Sequence, residues 1–199
     1  MKTNTKTTPA IYRVEDDAQR KALTSPIRLE IIGHFTSPEP LSVAEIGARM
    51  GRPPTAIYYH IHQLEEVGLL VRAGSRGSGK KVEVLYRPVA EHFDLTPDRG
   101  NREHDADALA TLKSAHRMAA RDMEAALRNG TGRYEGERRN FTASRMHARL
   151  DAESLEQANA HIDALYEIFM RESMADNGDG DFCSLTITLM PLRGRQGSE

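Results

Sequence analysis

The chain has no tryptophan and only one cysteine, Cys183, among its 199 residues. A single cysteine cannot form a disulfide within the chain, and this scarcity favours a reducing compartment. No apolar run approaches the roughly 20 residues needed to span a bilayer, and the first ten residues, MKTNTKTTPA, lack the apolar core of a signal peptide. We therefore expect a cytoplasmic protein that has no membrane partner.

The motifs of common catalytic and metal sites are also missing. The sequence contains no G-x-S-x-G, no H-E-x-x-H, no phosphate-binding glycine loop and no cysteine pair. Residues 176–181, DNGDGD, resemble part of a calcium loop, but the closing Glu at position twelve is absent. We expect no enzyme activity, no cofactor and no resident metal. A zinc site between subunits, built from His104, His116, His161 and nearby carboxylates, stays open as an alternative.

The net charge of −2 is small and unevenly distributed. Residues 1–100 carry 14 Lys and Arg against 12 Asp and Glu, whereas residues 101–199 carry 13 against 17. Within residues 69–88, Glu83 alone opposes five basic residues, which are Arg72, Arg76, Lys80, Lys81 and Arg87. Positive charge is therefore concentrated where phosphate binding would need it, and the acidic remainder does not exclude a nucleic-acid partner.

Residues 52–70, RPPTAIYYHIHQLEEVGLL, have the pattern of one amphipathic helix that begins at Pro53 or Pro54 and ends at Gly68. Helical spacing collects apolar residues on one side, namely Ile57, Ile61 and Leu64. The opposite side is polar and aromatic, with Thr55, Tyr59, His62 and Glu66, and Tyr58 lies between the two sides. Such an outer face is typical of a helix that contacts base edges in a major groove. An ordinary solvated helix is the alternative.

The flanking segments favour the DNA-reading interpretation. Residues 42–45, SVAE, form a capping box, and a short amphipathic helix follows to Gly51. Two helices joined by a tight turn predict a helix-turn-helix. Residues 69–73 and 81–88 are strand-like, and the glycine-rich run 74–79 between them predicts an exposed loop, with Arg76 at its tip. Two strands and a basic loop behind the second helix predict a wing.

Four segments resemble the winged helix-turn-helix domain of the arsenic-repressor-like (ArsR) family of bacterial transcriptional regulators. They are residues 22–28 (ALTSPIR), 41–46 (LSVAEI), 56–69 (AIYYHIHQLEEVGL) and 84–87 (VLYR), in family order and spacing over about a third of the chain. The founding members sense metals through a cysteine pair in the recognition region, where this chain has none. The resemblance therefore implies the branch that has a larger C-terminal domain and no cysteine metal site.

The resemblance also implies which residues contact DNA. Thr55, Tyr58, Tyr59 and His62 match positions that read the major groove, and Arg52 is expected to hold a phosphate or a guanine. In the wing, Arg76, Lys80 and Lys81 are expected to contact backbone phosphate or the minor groove. Each of these side chains could instead be an ordinary surface or packing residue.

The C-terminal half reads as a second domain of helix, strand, helix and strand. We expect a long helix from about residue 102 to 128, a strand at 145–150, a helix from Asp151 to about residue 174 and a strand at 183–190. Narrow apolar seams on the two helices suit a partner helix and predict a dimer or effector core made of Leu109, Leu112, His116, Met123, Leu155, Ile162 and Phe169.

The fold class expected is mainly α with small β (α+β). The predicted divisions are a disordered tail at 1–13, a winged helix-turn-helix DNA-binding domain at 14–93 and a dimerisation or effector domain at 102–192. We interpret the chain as a homodimeric DNA-binding regulator that binds double-stranded DNA at a near-palindromic operator, with repression relieved by an unidentified small molecule. A winged-helix protein-interaction module and a metal-responsive repressor with His and carboxylate ligands are the alternatives.

Overall fold

The computed structural model describes residues 11–37, 39–78, 81–94, 102–173 and 180–192. The described part of the chain is mainly helical with two small sheets, which confirms the expected fold class. Its elements in order are β1 (Ile11–Arg13), α1 (Asp17–Leu23), α2 (Pro26–Gly33), β2 (Leu41–Ser42), α3 (Val43–Arg49), α4 (Tyr58–Glu66), β3 (Leu70–Ser78), β4 (Lys81–Pro88), β5 (His92–Asp94), α5 (Arg102–Asn129) and α6 (Ala152–Ser173).

The hydrophobic core lies in the N-terminal part, which we call the head (residues 11–94). The apolar side predicted for the second helix is buried there: Ile57, Ile61 and Leu64 are inaccessible to solvent. They pack with Leu23 and Ile31 from the first two helices and with further residues around them, including Val43, Ile46, Leu69, Leu70 and Tyr86. Burial of this many large apolar side chains is the main stabilising term for a domain of this size.

The helix-turn-helix forms from local signals. The capping box at the start of α3 is complete, because the Glu45 backbone N–H donates to the Ser42 hydroxyl and the Ser42 N–H donates to the Glu45 carboxylate at 2.8 Å. The turn after α3 uses Gly51 at a φ of 62°. The expectation that the next helix starts at Pro53 or Pro54 is wrong: Pro54–Ala56 form a 3-10 turn, and α4 begins at Tyr58.

The wing is the hairpin of β3 and β4, residues 70–88, in a three-stranded sheet of order β2-β4-β3. The glycine-rich run predicted as a loop is strand as far as Ser78, with an irregularity between Arg72 and Ser75 where Gly74 lies. Arg76 therefore pairs with Glu83 across the hairpin instead of lying on a loop tip. A glycine within a strand often marks such an irregularity, so a glycine-rich run does not exclude a strand.

A second small sheet closes the head. β1 and β5 pair in parallel, with Ile11 opposite His92 and Arg13 opposite Asp94. Residues 11–13 were expected in the tail, so the predicted boundary at residue 14 is three residues too late; the rest of that tail, residues 1–10, lies outside the described residues. A three-residue strand has no local signal strong enough to identify it, since its partner is about 80 residues away in sequence.

Helix α5 packs against α1 and α2 of the head. The packed side carries small residues, Ala108, Thr111 and Ser114, at intervals of three. The Ser114 hydroxyl is buried and donates to the Thr24 carbonyl at 2.9 Å. Small side chains let two helices approach closely, so this side and not the predicted apolar seam faces the head.

Helix α6 and the extended segments beside it pack differently. No residue of α6 is buried, although Asp151 caps its first turn as predicted by accepting from the Ser154 N–H at 2.8 Å. The strands predicted at 145–150 and 183–190 are wrong for this chain, because neither segment has strand pairing. Alternation of apolar and polar residues describes an extended chain, but a strand also needs a neighbour that supplies hydrogen bonds.

Candidate nucleic-acid interface

The outer side of α4 is a solvent-exposed surface of aromatic and polar residues. Tyr58 is 50% and Tyr59 65% exposed, and the side chain of His62 is 58% exposed. Thr55, in the 3-10 turn just before the helix, is exposed as well. Tyr58 and Tyr59 are adjacent, so their exposed rings form one continuous aromatic patch, which is the kind of surface that a partner can contact.

The turn that leads into this surface is closely packed. The Arg52 N–H donates to the Gly47 carbonyl at 2.8 Å. A Cβ atom at Gly47 would lie 2.7 Å from the Arg52 carbonyl oxygen, so only glycine fits there without a shift of the backbone. The geometry between α3 and α4 is therefore determined by backbone contact rather than by long side chains that could adjust.

Arg52 lies beside this turn and points partly toward the interior. Its side chain is 34% exposed, and its Nη2 lies 3.4 Å from Oε2 of Glu30 in α2. The same Glu30 oxygen lies 3.7 Å from Nη2 of Arg121 in α5. Glu30 thus stands between the cation predicted to contact DNA and a cation of the long C-terminal helix. This juxtaposition was not predicted, since the three residues come from distant parts of the sequence.

Glu65 connects α4 to the wing. Its Oε1 accepts from Arg72 Nε at 2.5 Å and its Oε2 from Arg72 Nη2 at 3.4 Å, so the guanidinium and the carboxylate meet as a fork. His62 Nδ1 lies 3.5 Å from the same carboxylate. The helix and the hairpin are therefore held in one orientation by a side chain that the sequence interpretation assigned no function.

A second carboxylate connects the wing to α3. Arg76 Nη2 lies 2.7 Å from Oε1 of Glu45 and 3.8 Å from Oε2 of Glu83. The backbone N–H of Ser42 and the Arg76 guanidinium together lower the pKa of Glu45 to about 2. Glu45 therefore serves both the helix cap and the wing, and a phosphate that binds Arg76 must compete with this carboxylate.

Histidines near the turn lie in a less polar environment. Burial, with smaller contributions from Arg28 and Arg52, lowers the pKa of His60. Burial likewise lowers the pKa of His34, at the end of α2. Both histidines are therefore biased toward the neutral form.

The two lysines predicted to contact DNA lie wholly or partly outside the described residues. Lys80 is not among the described residues, and of Lys81 only the backbone, at the start of β4, is described. Arg52, Thr55, Tyr58, Tyr59 and His62 do lie together, around the start and the outer side of α4.

The residues predicted to form a dimer or effector core differ in their exposure to solvent. Leu109, Met123 and Leu155 are exposed, and Leu112, Ile162 and Phe169 are partly buried. His116 Nδ1 lies 2.8 Å from the Leu112 carbonyl oxygen, and its Nε2 lies 3.0 Å from the Thr188 hydroxyl of the C-terminal segment. The seam is therefore not the core of this single chain.

Comparison with protein families agrees with the geometry of the head. A family described as a helix-turn-helix domain matches residues 23–73, which include α3, the turn, α4 and the beginning of β3. The match covers about a quarter of the chain. A search of curated proteins returns no match.

Within the described residues, no helix is long and apolar enough to cross a bilayer, and no group of three or more His, Cys, Asp or Glu is arranged to hold a metal ion. This chain thus carries a helix-turn-helix domain whose second helix exposes an aromatic, polar face.

Proposed function

We propose that the protein is a sequence-specific DNA-binding transcriptional regulator of the ArsR-like type that binds as a homodimer. The observation that carries this proposal is the exposed face of α4, because Tyr58, Tyr59 and His62 stand outward from a helix whose opposite side is completely buried. A helix presented in this way fits the major groove of B-form DNA, which is about 12 Å wide.

The wing supports the proposal through its charge. Arg72 and Arg76 lie on β3 and are held in place by Glu65 and Glu45. Arginines positioned by carboxylates at the edge of a binding surface can exchange these partners for phosphates, and the exchange makes affinity depend steeply on salt. Lys80 and Lys81 would extend the same basic surface.

The homodimer is supported by the seams on the two long helices. Leu109 and Met123 of α5 and Leu155 of α6 remain exposed in the single chain, at spacings that suit a partner helix. Two-fold symmetry would place the two α4 helices in successive major grooves of a near-palindromic operator. A small-molecule effector would regulate binding by changing the angle or spacing of the two heads, provided that it binds the two states with different affinity. Repression is the mode that the resemblance implies.

The proposal is tested by selecting sites from random duplex DNA at several salt concentrations, using wild type, His62→Ala, Arg76→Ala and the control Arg128→Ala. Arg128 is exposed in the last turn of α5, far along the chain from the predicted interface. We expect an enriched inverted repeat. His62→Ala should lower affinity for it by about 1–3 kcal/mol, as loss of a base contact does. Arg76→Ala should reduce the salt slope by about one charge. Arg128→Ala should leave both quantities unchanged.

Selection that enriches no sequence, with weak binding even at low salt, would contradict the proposal and favour a winged-helix protein-interaction module. In that case loss of Arg76 would leave the partner bound and the binding would lack a salt slope. A metal-responsive repressor would instead show operator release on adding zinc, reversed by a chelator and abolished in His116→Ala.

A further inference from the structure

Helix α6 presents two unpartnered surfaces. Along one side run apolar residues of which Leu155 and Leu165 are 42% and 41% exposed, and Ile162 and Phe169 on the same side are partly buried. At 100° per residue, Glu156, Asp163 and Glu167 align along a neighbouring edge, and all three are exposed. The helix carries five acidic residues against Arg171 alone. We call the three aligned carboxylates the acidic edge.

The chain that leads into α6 has the opposite character. Residues 142–150, TASRMHARL, which we call the basic segment, belong to no helix or strand, and every one of them is exposed. The segment contains Arg145 and Arg149 and no acidic residue. Met146 is 84% exposed and Leu150 44%. In an extended chain the arginines and His147 share one side, while Met146, Ala148 and Leu150 share the other.

We propose that the basic segment of one copy docks on α6 of a second copy of this chain, reciprocally, so that the two copies exchange these segments. The inference deepens the proposed function, since it rests on the homodimer and names the surfaces that hold it. Charge complementarity selects the occupant: a segment with arginines on one side and apolar residues on the other meets a helix that has an acidic edge beside an apolar side.

The dimensions of the two surfaces agree. Arg145 and Arg149 are four residues apart in an extended chain, or about 13 Å. Glu156 and Asp163 are seven residues apart on a helix, or about 10 Å. Two flexible arginine side chains can cover that difference. Met146 and Leu150 would then lie toward Leu155, Ile162 and Leu165, where both partners lose exposed apolar surface.

The second copy is a better occupant than the chain's own segment or DNA. In the single chain every one of residues 142–150 is exposed, and none of the residues on the acidic edge takes part in an ion pair within the described residues. DNA phosphates would satisfy Arg145 and Arg149 but would leave Met146 and Leu150 exposed to water. A reciprocal contact forms twice in a two-fold dimer, so each favourable pair contributes twice to the stability of the dimer.

The test uses two charge-reversed full-length proteins, Arg145→Glu/Arg149→Glu and Glu156→Arg/Asp163→Arg. Self-association is measured by sedimentation equilibrium, and DNA binding is measured in parallel on the selected operator and on random duplex. All four residues are exposed, so the circular dichroism and thermal unfolding of the head should not change. Arg138→Glu/Arg139→Glu is the matched control, because it reverses two exposed charges in the loop just before the segment.

Each reversed protein should self-associate at least tenfold more weakly than wild type, and an equimolar mixture of the two should form a heterodimer of near wild-type strength. In that heterodimer both contacts pair opposite charges, whereas each homodimer pairs like charges twice. The control should associate as wild type does. A wild-type protein that stays monomeric, reversed proteins that still dimerise fully, or a mixture that shows no rescue would each overturn the inference.

Weaker DNA binding in Arg145→Glu/Arg149→Glu, with self-association unchanged, would also overturn it and would assign the segment to phosphate contact. Failure of the proposed function looks different. A dimer that responds to the reversals as expected but selects no DNA sequence would leave the docking surface standing and refute the regulator.

Discussion

The head (residues 11–94) and the C-terminal part (residues 102–173 and 180–192) differ in what stabilises them. In the head, every helix buries apolar residues against its neighbours, and the cluster around Ile31, Ile61 and Leu64 is closed to solvent. In the C-terminal part, α6 buries no residue, and Met146, Phe182 and Leu192 are among the most exposed apolar side chains. Similar amphipathic patterns thus lead to a closed hydrophobic core in the head and to exposed apolar surface in the C-terminal part.

The difference shows that amphipathicity identifies a face to be covered, not what covers it. The apolar seams of α5 and α6 have the same three-and-four spacing as the apolar sides of α3 and α4. Only α3 and α4 bury those apolar positions fully within the chain, because α5 meets the head through its small residues instead. Because the stability of a helix in water comes mainly from burial of its apolar side, the C-terminal helices should depend on association more than the head does.

The largest expected effect comes from comparing two side-chain truncations, one in the core of the head and one on α6. Ile61→Ala, at a fully buried position, should lower the free energy of unfolding by about 2–5 kcal/mol, because it removes apolar contacts and leaves a cavity. Leu165→Ala should change the unfolding of the head by less than about 0.5 kcal/mol. Urea unfolding followed at low protein concentration measures both. Equal losses in the two variants would mean that α6 is packed against the head after all.

A glycine pair tests how closely the head is packed. Gly47→Ala should cost about 1–3 kcal/mol, because the new Cβ would meet the Arg52 carbonyl at 2.7 Å and displace the turn before α4. Gly33→Ala is the control: nothing lies within 4 Å of a Cβ there, and the loss of backbone freedom in the unfolded chain should stabilise the protein by up to about 1 kcal/mol. Thermal unfolding of both variants measures these changes in stability. A Gly47→Ala variant as stable as wild type would show that the backbone of the turn can adjust.

Removing a helix cap in each part gives a smaller contrast. Ser42→Ala should destabilise the head by about 0.5–2 kcal/mol, since it removes one half of the capping box of α3. Asp151→Ala removes the cap of α6 and should reduce helix content without shifting the unfolding of the head. The measurement is far-ultraviolet circular dichroism during thermal unfolding. A shift of the head transition in Asp151→Ala would mean that the stability of the head depends on α6, contrary to this expectation.

The smallest expected effect is on acid stability. Glu45 has a folded pKa of about 2 against an ordinary 4.5, so it binds protons more weakly in the folded state than in the unfolded one. Its contribution is complete above about pH 4.5 and is lost as the pH falls through 2. Because the side chain is 38% exposed, solvent screening limits the contribution to about 1 kcal/mol or less. Glu45→Gln should flatten the fall in stability over that window, as measured by chemical unfolding at a series of pH values.

Much of the head was predictable because its signals are local. The capping box at residues 42–45, the glycine after α3 and the periodic apolar positions of α4 each depend on residues within one or two helical turns. The same is true of the exposed face that carries Tyr59 and His62. The wing was predicted as a hairpin with the wrong loop, since strand pairing in a glycine-rich run depends on the opposite strand.

The sequence alone determined which residues of this chain form helices, which sides of those helices are apolar and where the basic residues of the wing are concentrated. Those features follow from backbone sterics and from spacing along the chain. Only the tertiary structure decided that Glu30, Glu45 and Glu65 lie beside the arginines, that Ser114 faces the head, and that residues 145–150 and 183–190 find no strand partner within it. Electrostatic pairs and strand ladders join residues that are distant in sequence, and no local pattern specifies which distant groups meet.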